Sequence, residues 1–481
     1  MAQQHTVETS ATTARGHDVD TRPSWGRLAI FSIQHVLIMY TGCITVPLVF
    51  GAAAGLGSSD IALLISADLL VAGIITAIQG FGLGRIAGVR LPIVCGATFT
   101  GLTPMVLIAE KYGLQAVWGS MLIGGLVGIA LAIPFSKIIR FFPTLVTGAV
   151  LTVVGLSLIG VAGGLIVGSD PKASDYAAPH RLILALVVVV IAVTLLVLGK
   201  GIWSRLAVLV ALVVGTAIAA AMGMFHLDDV SNAGWVGFPT PFHFGAPQFP
   251  IAAIISMSIV MVVVFAESTA SMLAISEITG KPLGPRDLTR GLIGDGLSGV
   301  LGGIFGGFPD TVFGQNVGAV ATSRVHSRYV TATSGLILIV LALFPKMGAV
   351  IAALPGPVVG GVGLVLFATV ALIGIRSLAQ VDLGNPVNLT IAAVAVGAGL
   401  LPEFVPDMFE RLPDSLQIIF GSGITLTAVV AFVLNLIFHH TPLKRRIEGH
   451  PDRDVTADRD TPNHITETTR DIDTVTTREL V

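Results

Sequence analysis

The segment 302–324, GGIFGGFPDTVFGQNVGAVATSR, interrupts the long apolar runs that fill most of this 481-residue chain. It contains the helix breaker Pro309 and the polar residues Asp310, Gln315 and Asn316. In the whole chain 53% of residues are hydrophobic and 12% are charged, whereas soluble domains have about 25% charged residues. The composition predicts a polytopic membrane protein. The segment predicts non-helical backbone beside a cavity, because such backbone survives at membrane depth only when protein or water surrounds it.

Apolar runs between charged or Pro/Gly-rich breaks predict about fourteen membrane segments, two of them short. Lys and Arg concentrate in alternate loops, which by the positive-inside rule predicts that both termini are cytoplasmic. The loop 225–248 has no Lys or Arg and leaves about seven segments on each side. An odd number of segments per half inverts the second half relative to the first, as in inverted-repeat secondary transporters.

This segmentation predicts five regions along the chain. They are a cytoplasmic tail (1–24), a first repeat (25–224), an external loop (225–248), a second repeat (249–438) and a cytoplasmic tail (439–481). The second tail is charged and poor in large apolar residues, so we expect it to be disordered. The first tail lacks an apolar h-region, so we expect no cleavable signal peptide.

Several function classes are disfavoured by the same sequence. Cys43 and Cys95 lie far apart in apolar segments, which predicts neither a disulfide nor a metal site. A net charge of −2 with scattered basic residues predicts no nucleic-acid partner. No nucleophile–base pair or metal-ligand cluster is evident, so we expect a protein that is not an enzyme and that has no cofactor.

The two short segments, 91–104 and 308–321, are third in their respective halves. In each, a proline precedes a glycine by four or five residues. Short, Pro/Gly-interrupted segments at matching positions of two repeats indicate the substrate site of a transporter. We therefore expect the two segments to meet around a ligand.

Polar residues within the apolar segments are the candidates for that site, because each must be stabilised by a partner or a function. Glu267 follows five apolar residues, and Ser271 lies one turn later on the same helix face. A buried carboxyl group without a cation beside it tends to hold a proton, which suits proton exchange or binding of N–H donors. The alternative is a structural hydrogen bond between helices.

The remaining candidates leave two interpretations open. The amide of Gln315 either binds the edge of a flat ligand or caps exposed backbone, and Asn316 fits a scaffold better. Asp295 either relays protons or hydrogen-bonds neighbouring groups. His35 either titrates near neutral pH or joins two helices, and Phe99 is either a core residue or a lid over a planar ring.

At this point the sequence resembles the nucleobase–ascorbate transporter family, in particular its bacterial uracil/xanthine permease branch. The family signature [Q/E/P]-N-x-G-x-x-x-x-T-[R/K/G] is matched by Gln315, Asn316, Gly318 and Arg324, with Ser323 in place of the threonine. Other matching elements are the pair Gln34–His35, the G-x-x-F element Gly96 to Phe99, and the acidic residues Glu267 and Asp295.

The resemblance implies an all-α polytopic fold with fourteen transmembrane segments in a 7+7 inverted repeat. Segments 1–4 and 8–11 would form a core domain and segments 5–7 and 12–14 a gate domain, with short antiparallel strands in segments 3 and 10. It also implies a multi-pass protein of the plasma (inner) membrane and a homodimer formed through the gate domains.

The resemblance also implies roles for individual residues. Glu267 and Gln315 would bind a purine base through their side chains, Phe99 and Gly314 through backbone N–H groups, and the Phe99 ring would stack on it. Thr98 matches a position that tunes purine preference. The other implied roles are support of the pocket by His35, proton coupling by Glu267 and Asp295, and scaffolding by Gln34, Ser271 and Asn316.

We therefore expect a proton-coupled secondary active transporter that imports xanthine or uric acid, with Na⁺ as an alternative coupling ion. The amide of Gln315 can donate to an oxo group, whereas an ionised carboxylate cannot. Some family members carry a second ionisable residue where this chain has Ser271. The rival functions are a uracil or other nucleobase symporter, an anion transporter of the sulfate/bicarbonate type with the same architecture, a channel, and a membrane enzyme.

Overall fold

The structure is a computed structural model and describes residues 18–138, 143–168, 171–225, 230–231, 233–323 and 325–440. The helices of the first half are α1 (Trp25–Ala53), α2 (Ser58–Phe81), α3 (Leu102–Tyr112), α4 (Leu114–Ile138), α5 (Thr144–Val167), α6 (Pro179–Leu198), α7 (Ile202–Arg205) and α8 (Ala207–Ala221). Those of the second half are α9 (Ile251–Thr279), α10 (Pro285–Phe305), α11 (Gly314–Ser323), α12 (Arg328–Ala342), α13 (Pro345–Ala352), α14 (Gly356–Leu378), α15 (Pro386–Phe404), α16 (Asp414–Gly421) and α17 (Gly423–His440). Two strands, β1 (Cys95–Ala97) and β2 (Asp310–Val312), precede α3 and α11 respectively.

Many of these helices are long and apolar enough to cross a bilayer. Among the described residues nine helices meet that criterion, and the bent pair α12–α13, with an angle of 82°, would make a tenth span. The protein is therefore a mostly helical, multi-pass membrane protein. The count of fourteen segments includes shorter pieces such as α8 and the two strand–helix units, and it stays a prediction.

The strands pair antiparallel, with Cys95 opposite Val312, Gly96 opposite Thr311 and Ala97 opposite Asp310. They lie in the third segment of each half, where the resemblance implies strands. The pairing extends through hydrogen bonds from the Thr98 amide to the Pro309 carbonyl (3.0 Å) and from the Phe313 amide to the Val94 carbonyl. The first repeat and the second repeat therefore meet through backbone hydrogen bonds at the point where their helices are interrupted.

Hydroxyl groups from flanking helices satisfy the outer edges of this strand pair. The Cys95 amide donates to Thr76 Oγ1 of α2 (2.9 Å), and the same hydroxyl donates to the Cys95 carbonyl. On the other edge, the Asp310 amide donates to Ser298 Oγ of α10 (2.8 Å) and the Val312 amide to Ser268 Oγ of α9 (3.2 Å). An unpaired backbone group would cost several kcal/mol in a water-free interior, so these hydroxyls make the short strands tolerable there.

The helices pack into two groups within the described residues. In the first, α4 packs against α9 and α10, α12 packs against α1 and α2, and the strand pair lies between them. In the second, α14 packs against α5, α6 and α8. The assignment of these groups to a core domain and a gate domain stays a prediction. Glycine permits the closest approaches: a Cβ at Gly299 of α10 would lie 2.9 Å from the Cα of Gly125 in α4.

The structure describes the end of the N-terminal tail and the last helix before the C-terminal tail. Residues Asp18–Asp20 form a short 3₁₀ turn, and Val19 is fully buried among core residues that include Leu91 and Met272. The end of the N-terminal tail is thus packed against the helical core. At the other end, α17 continues to His440, and the predicted disorder of the remaining tail lies outside the described residues.

Candidate functional site

Glu267 lies on α9 where this helix passes the end of β1. Two threonine hydroxyls that follow β1 donate to its carboxylate, Thr98 Oγ1 to Oε2 at 3.2 Å and Thr100 Oγ1 to Oε1 at 2.5 Å. Both threonines are buried, whereas the glutamate is partly exposed. The carboxylate is therefore fixed by the first repeat at both oxygens although it belongs to the second repeat.

The N-terminal end of α11 is the open part of the same region. Gly314 and Gln315, its first two residues, are exposed, and a Cβ added at Gly314 would meet no atom within 4 Å. Among the described residues, the backbone amides of Phe99 and Gly314 have no backbone acceptor. A helix start with free N–H groups attracts hydrogen-bond acceptors and negative charge. The structure thus leaves free donors where the resemblance implies contacts to a base.

The Phe99 ring faces the second packing group. Its centroid lies 5.1 Å from that of Phe367 in α14, with an interplanar angle of 84°, which is an edge-to-face contact. Phe99 is 9% exposed and Phe367 is fully buried. In this conformation Phe367 covers the ring that the sequence predicts to stack on a base.

His35 and Asn316 are joined to one another. The Asn316 side-chain amide lies 2.9 Å from Nδ1 of His35 and donates to the His35 carbonyl at 3.1 Å. Both residues are buried. The contact ties α11 to α1 and fits the scaffold role expected of Asn316, whereas a direct contact of His35 with a ligand stays a prediction.

The other predicted residues lie at different depths. Asp295 is fully buried, and Gln79 of α2 donates to its Oδ1 at 3.4 Å and to the Gly291 carbonyl at 2.8 Å. Gln34 and Ser271 are partly exposed. Thr98 and Thr100 supply the hydroxyls that bind Glu267. Ser271 is not among these partners of the carboxylate, and its scaffold role stays a prediction.

Sequence reasoning missed several residues of this region. Thr100, Thr311, Ser268 and Phe367 are common residue types in apolar segments, and their proximity to Glu267 or Phe99 arises only from packing between elements.

Two further cavities lie away from these residues. One, of about 600 Å³, is lined by the start of α2, by α13 and by residues 233–239. The other, of about 450 Å³, lies between α3 and the α15–α16 connection, where Lys111 Nζ donates to Gln417 Oε1 at 2.5 Å. Within the described part of the chain, no group of three or more His, Cys, Asp and Glu residues is arranged to hold a metal ion.

Comparisons with known proteins agree with this architecture. The chain is 39% identical to the uric acid transporter of Escherichia coli (strain K12) over 91% of its own length and 92% of the relative's. It is 38% identical to the xanthine permease of Bacillus subtilis (strain 168), over 90% and 98% of the two chains. Among solved structures, the transmembrane domain of a cyanobacterium bicarbonate transporter has the same fold, with a TM-score of 0.54 and 16% identity over 85% of this chain and 98% of that one.

A family model described as the Permease family matches residues 26–408, which is most of the membrane portion. The two relatives just named, both permeases of oxidised purines by their names, cover nearly the full chain. The protein is therefore a transporter and not an enzyme, and it belongs to the nucleobase–ascorbate transporter family.

Proposed function

We propose that this protein imports an oxidised purine base, xanthine or uric acid, across the plasma membrane together with a proton. The observation that carries the proposal is the juxtaposition around the strand pair. A carboxylate held by Thr98 and Thr100 lies on one side, and the free N–H groups and exposed Gln315 at the start of α11 lie on the other. The names of the relatives support the same substrate class.

The site chemistry fits a planar ring with alternating N–H and oxo groups. Glu267 accepts hydrogen bonds from ring N–H groups when it is ionised, whereas the Gln315 amide and the backbone amides of Phe99 and Gly314 donate to oxo groups. For a base to stack on Phe99, Phe367 must first separate from that ring. The first packing group would therefore move against α14 during the transport cycle, as expected for alternating access with both termini cytoplasmic.

Proton coupling follows from the same geometry. When Glu267 is protonated, its carboxyl group is neutral and can donate to the base as well as accept from it. Proton binding and substrate binding then favour each other, and their coupling is reciprocal. Asp295, fully buried on the adjacent helix, is the second proton-binding group of this mechanism.

The proposal is tested by uptake of radiolabelled xanthine and urate into proteoliposomes with an imposed pH gradient, with and without Na⁺. We expect accumulation driven by the proton gradient in the wild type. Glu267→Gln should lose it by about 100-fold or more, since a positioned acid–base group contributes about that much. Full accumulation by Glu267→Gln would refute the proton-coupling role of this residue.

An anion transporter of the sulfate/bicarbonate type is the alternative function. The similarity to the bicarbonate transporter shows a shared fold only, at 16% identity. A carboxylate facing the ligand region accepts hydrogen bonds from the ring N–H groups of a heterocycle, whereas sulfate has no proton to donate to it. Adding sulfate or bicarbonate in excess to the xanthine assay distinguishes the two, because we expect no competition.

A further inference from the structure

Two hydroxyl groups, that of the buried Ser268 and that of the partly exposed Thr311, lie between the two acidic residues of the proposed mechanism. Glu267 on α9 and Asp295 on α10 interact electrostatically. Thr311, the central residue of β2, faces the Glu267 carboxyl group, and Ser268 faces the Asp295 carboxyl group. The two hydroxyl oxygens, Thr311 Oγ1 and Ser268 Oγ, are 3.0 Å apart, and either can donate to the other.

The order of these groups follows from helix geometry. Ser268 comes directly after Glu267 in the chain, so its side chain is rotated by about 100° around α9 and points to another side of the helix. Thr311 spans the resulting gap from the neighbouring strand. The side chains of Glu267, Thr311, Ser268 and Asp295 therefore follow one another from the ligand region into the core, and the 3.0 Å contact between Thr311 and Ser268 joins the middle pair.

The burial of these groups makes them relevant to proton movement. Ser268 and Asp295 are fully buried, and the Asp295 Oδ2 atom makes no short hydrogen bond within the described residues. Protons move through a packed interior only along hydrogen-bonded groups or water. The Ser268 hydroxyl faces the Asp295 carboxyl group and provides such a step, since a hydroxyl both donates and accepts.

We propose that Ser268 and Thr311 form a hydroxyl relay that moves a proton between Glu267 and Asp295. This proposal rests on the proposed function and deepens it. Glu267 gives its proton to Thr311 Oγ1, Thr311 passes its own hydroxyl proton to Ser268 Oγ, and Ser268 passes its own to the Asp295 carboxylate. Both hydroxyls keep one proton, Glu267 becomes a carboxylate and Asp295 becomes a neutral acid, so the net charge is conserved.

Other titratable groups also face this relay and set its electrostatic environment. Asp310, adjacent to Thr311 on β2, and Cys95 on β1 both interact electrostatically with Asp295. Asp68 of α2 interacts in turn with Asp310. A negative charge on either of these carboxyl groups would oppose ionisation of Asp295.

The alternative role of Ser268 is purely structural, because its hydroxyl accepts the Val312 amide. Thr311→Val separates the two roles. Valine has nearly the same shape as threonine and retains the backbone pairing opposite Gly96, but it has no hydroxyl. Thr311→Ser is the matched control that keeps the hydroxyl and loses only a methyl group.

The test compares Thr311→Val, Thr311→Ser and Ser268→Ala with the wild type in proteoliposomes. Ser256→Ala is a further control, because Ser256 is a buried serine on the same helix whose hydroxyl has no partner among the described residues. Two rates are measured for each variant: counterflow of labelled xanthine without a pH gradient, and accumulation of xanthine driven by a pH gradient over a range of pH. Binding is measured from the shift in melting temperature on adding xanthine.

We expect Thr311→Val and Ser268→Ala to lose about tenfold or more of gradient-driven accumulation, whereas their counterflow and xanthine-induced melting shift stay within about twofold. Thr311→Ser and Ser256→Ala should behave like the wild type. Accumulation at wild-type levels in Thr311→Val, or an equal loss of counterflow and accumulation in that variant, would overturn the relay. Failure of the proposed function looks different: the wild type would accumulate neither xanthine nor urate, or Glu267→Gln would accumulate fully.

Discussion

The two interrupted segments of the molecule have the same backbone plan but different side chains. After β1, the residues Thr98, Phe99 and Thr100 are buried, and the hydroxyls of the two threonines bind Glu267. After β2, Gly314 and Gln315 are exposed at the start of α11. The repeated backbone brings free N–H groups to one place. The side chains of the first segment bind the Glu267 carboxylate, whereas those at the start of α11 stay exposed and are the ones that we propose to bind the ligand.

The edges of the two strands differ in a related way. β1 is satisfied by the hydroxyl of Thr76, which contacts no acidic residue in the hydrogen bonds described above. The backbone amides on the outer edge of β2 donate to Ser268 and Ser298. Ser268 directly follows Glu267 in sequence, and Ser298 lies one helical turn after Asp295. The outer edge of β2 is therefore bound to α9 and α10, the helices of Glu267 and Asp295, whereas the outer edge of β1 is bound to α2.

The largest expected effect concerns the exposed segment. Gln315→Ala removes the side-chain donor and acceptor without disturbing packed neighbours, because Gln315 is exposed. We expect xanthine uptake to fall by about 100-fold, in line with the loss of a group built to hydrogen-bond its substrate, with an unchanged melting temperature of the free protein. Gln315→Glu sharpens the comparison, because a carboxylate cannot donate to an oxo group. Undiminished xanthine binding by Gln315→Ala would show that the Gln315 side chain of α11 does not bind the ligand.

The glycines of the two segments should respond in opposite ways. A Cβ at Gly96 in β1 would lie 2.7 Å from the Cys43 Sγ, so Gly96→Ala should lower the free energy of unfolding by about 1–3 kcal/mol. A Cβ at Gly314 meets nothing within 4 Å, so Gly314→Ala should leave the melting temperature unchanged and raise the KM for xanthine. Both effects are measured by thermal unfolding in detergent and by uptake kinetics. Partial recovery of stability in the Gly96→Ala, Cys43→Ala double variant would confirm the contact as the cause.

The smallest expected effect tests a clasp, formed by Asp20, Arg328 and Lys281, that joins the N-terminal tail to the second repeat. Asp20 Oδ1 accepts from Arg328 Nε at 2.6 Å, and Lys281, 3.5 Å from Asp20 Oδ2, donates to the Arg90 carbonyl of the first repeat. Partial burial acts to raise the pKa of Asp20, but the hydrogen bond from Arg328 and the charges of Lys281 and Arg328 outweigh it and lower the pKa below its usual value of 3.8. The clasp is therefore complete at neutral pH and is lost as the pH falls through this lowered pKa.

Asp20→Asn should weaken the clasp by only about 0.5 kcal/mol, because the Asp20 side chain is 56% exposed and screened by solvent. We expect a protease of broad specificity, such as proteinase K, to cleave next to the buried Val19 of this tail a few times faster in this variant at pH 7. Asp60→Asn removes an aspartate that pairs with His243 instead and should leave the cleavage rate unchanged. Equal rates in the two variants would show that Asp20 does not hold the tail.

Much of the site could be predicted from the sequence, because its residues are of unusual types for their positions. Glu267 in an apolar run, and Pro309 and Gln315 in a Gly-rich break, conflict with a simple membrane helix and therefore indicate a special role. Thr100 and Phe367 are ordinary residue types for the segments in which they lie. Their importance arises from contacts with Glu267 and Phe99 across long sequence separations, which local patterns do not encode.

The sequence by itself determined the membrane location and the interrupted segments, because hydrophobic length and helix breakers act locally along the chain. The motif residues around Gln315 indicated the family. The tertiary structure alone decided which hydroxyl serves which partner: Thr98 and Thr100 hold the acid, whereas Ser268 and Ser298 hold the strand. Small hydroxyl residues are compatible with many positions in a membrane helix. Only the packing of the two repeats, which buries backbone and carboxyl groups away from water, gives each hydroxyl a required partner.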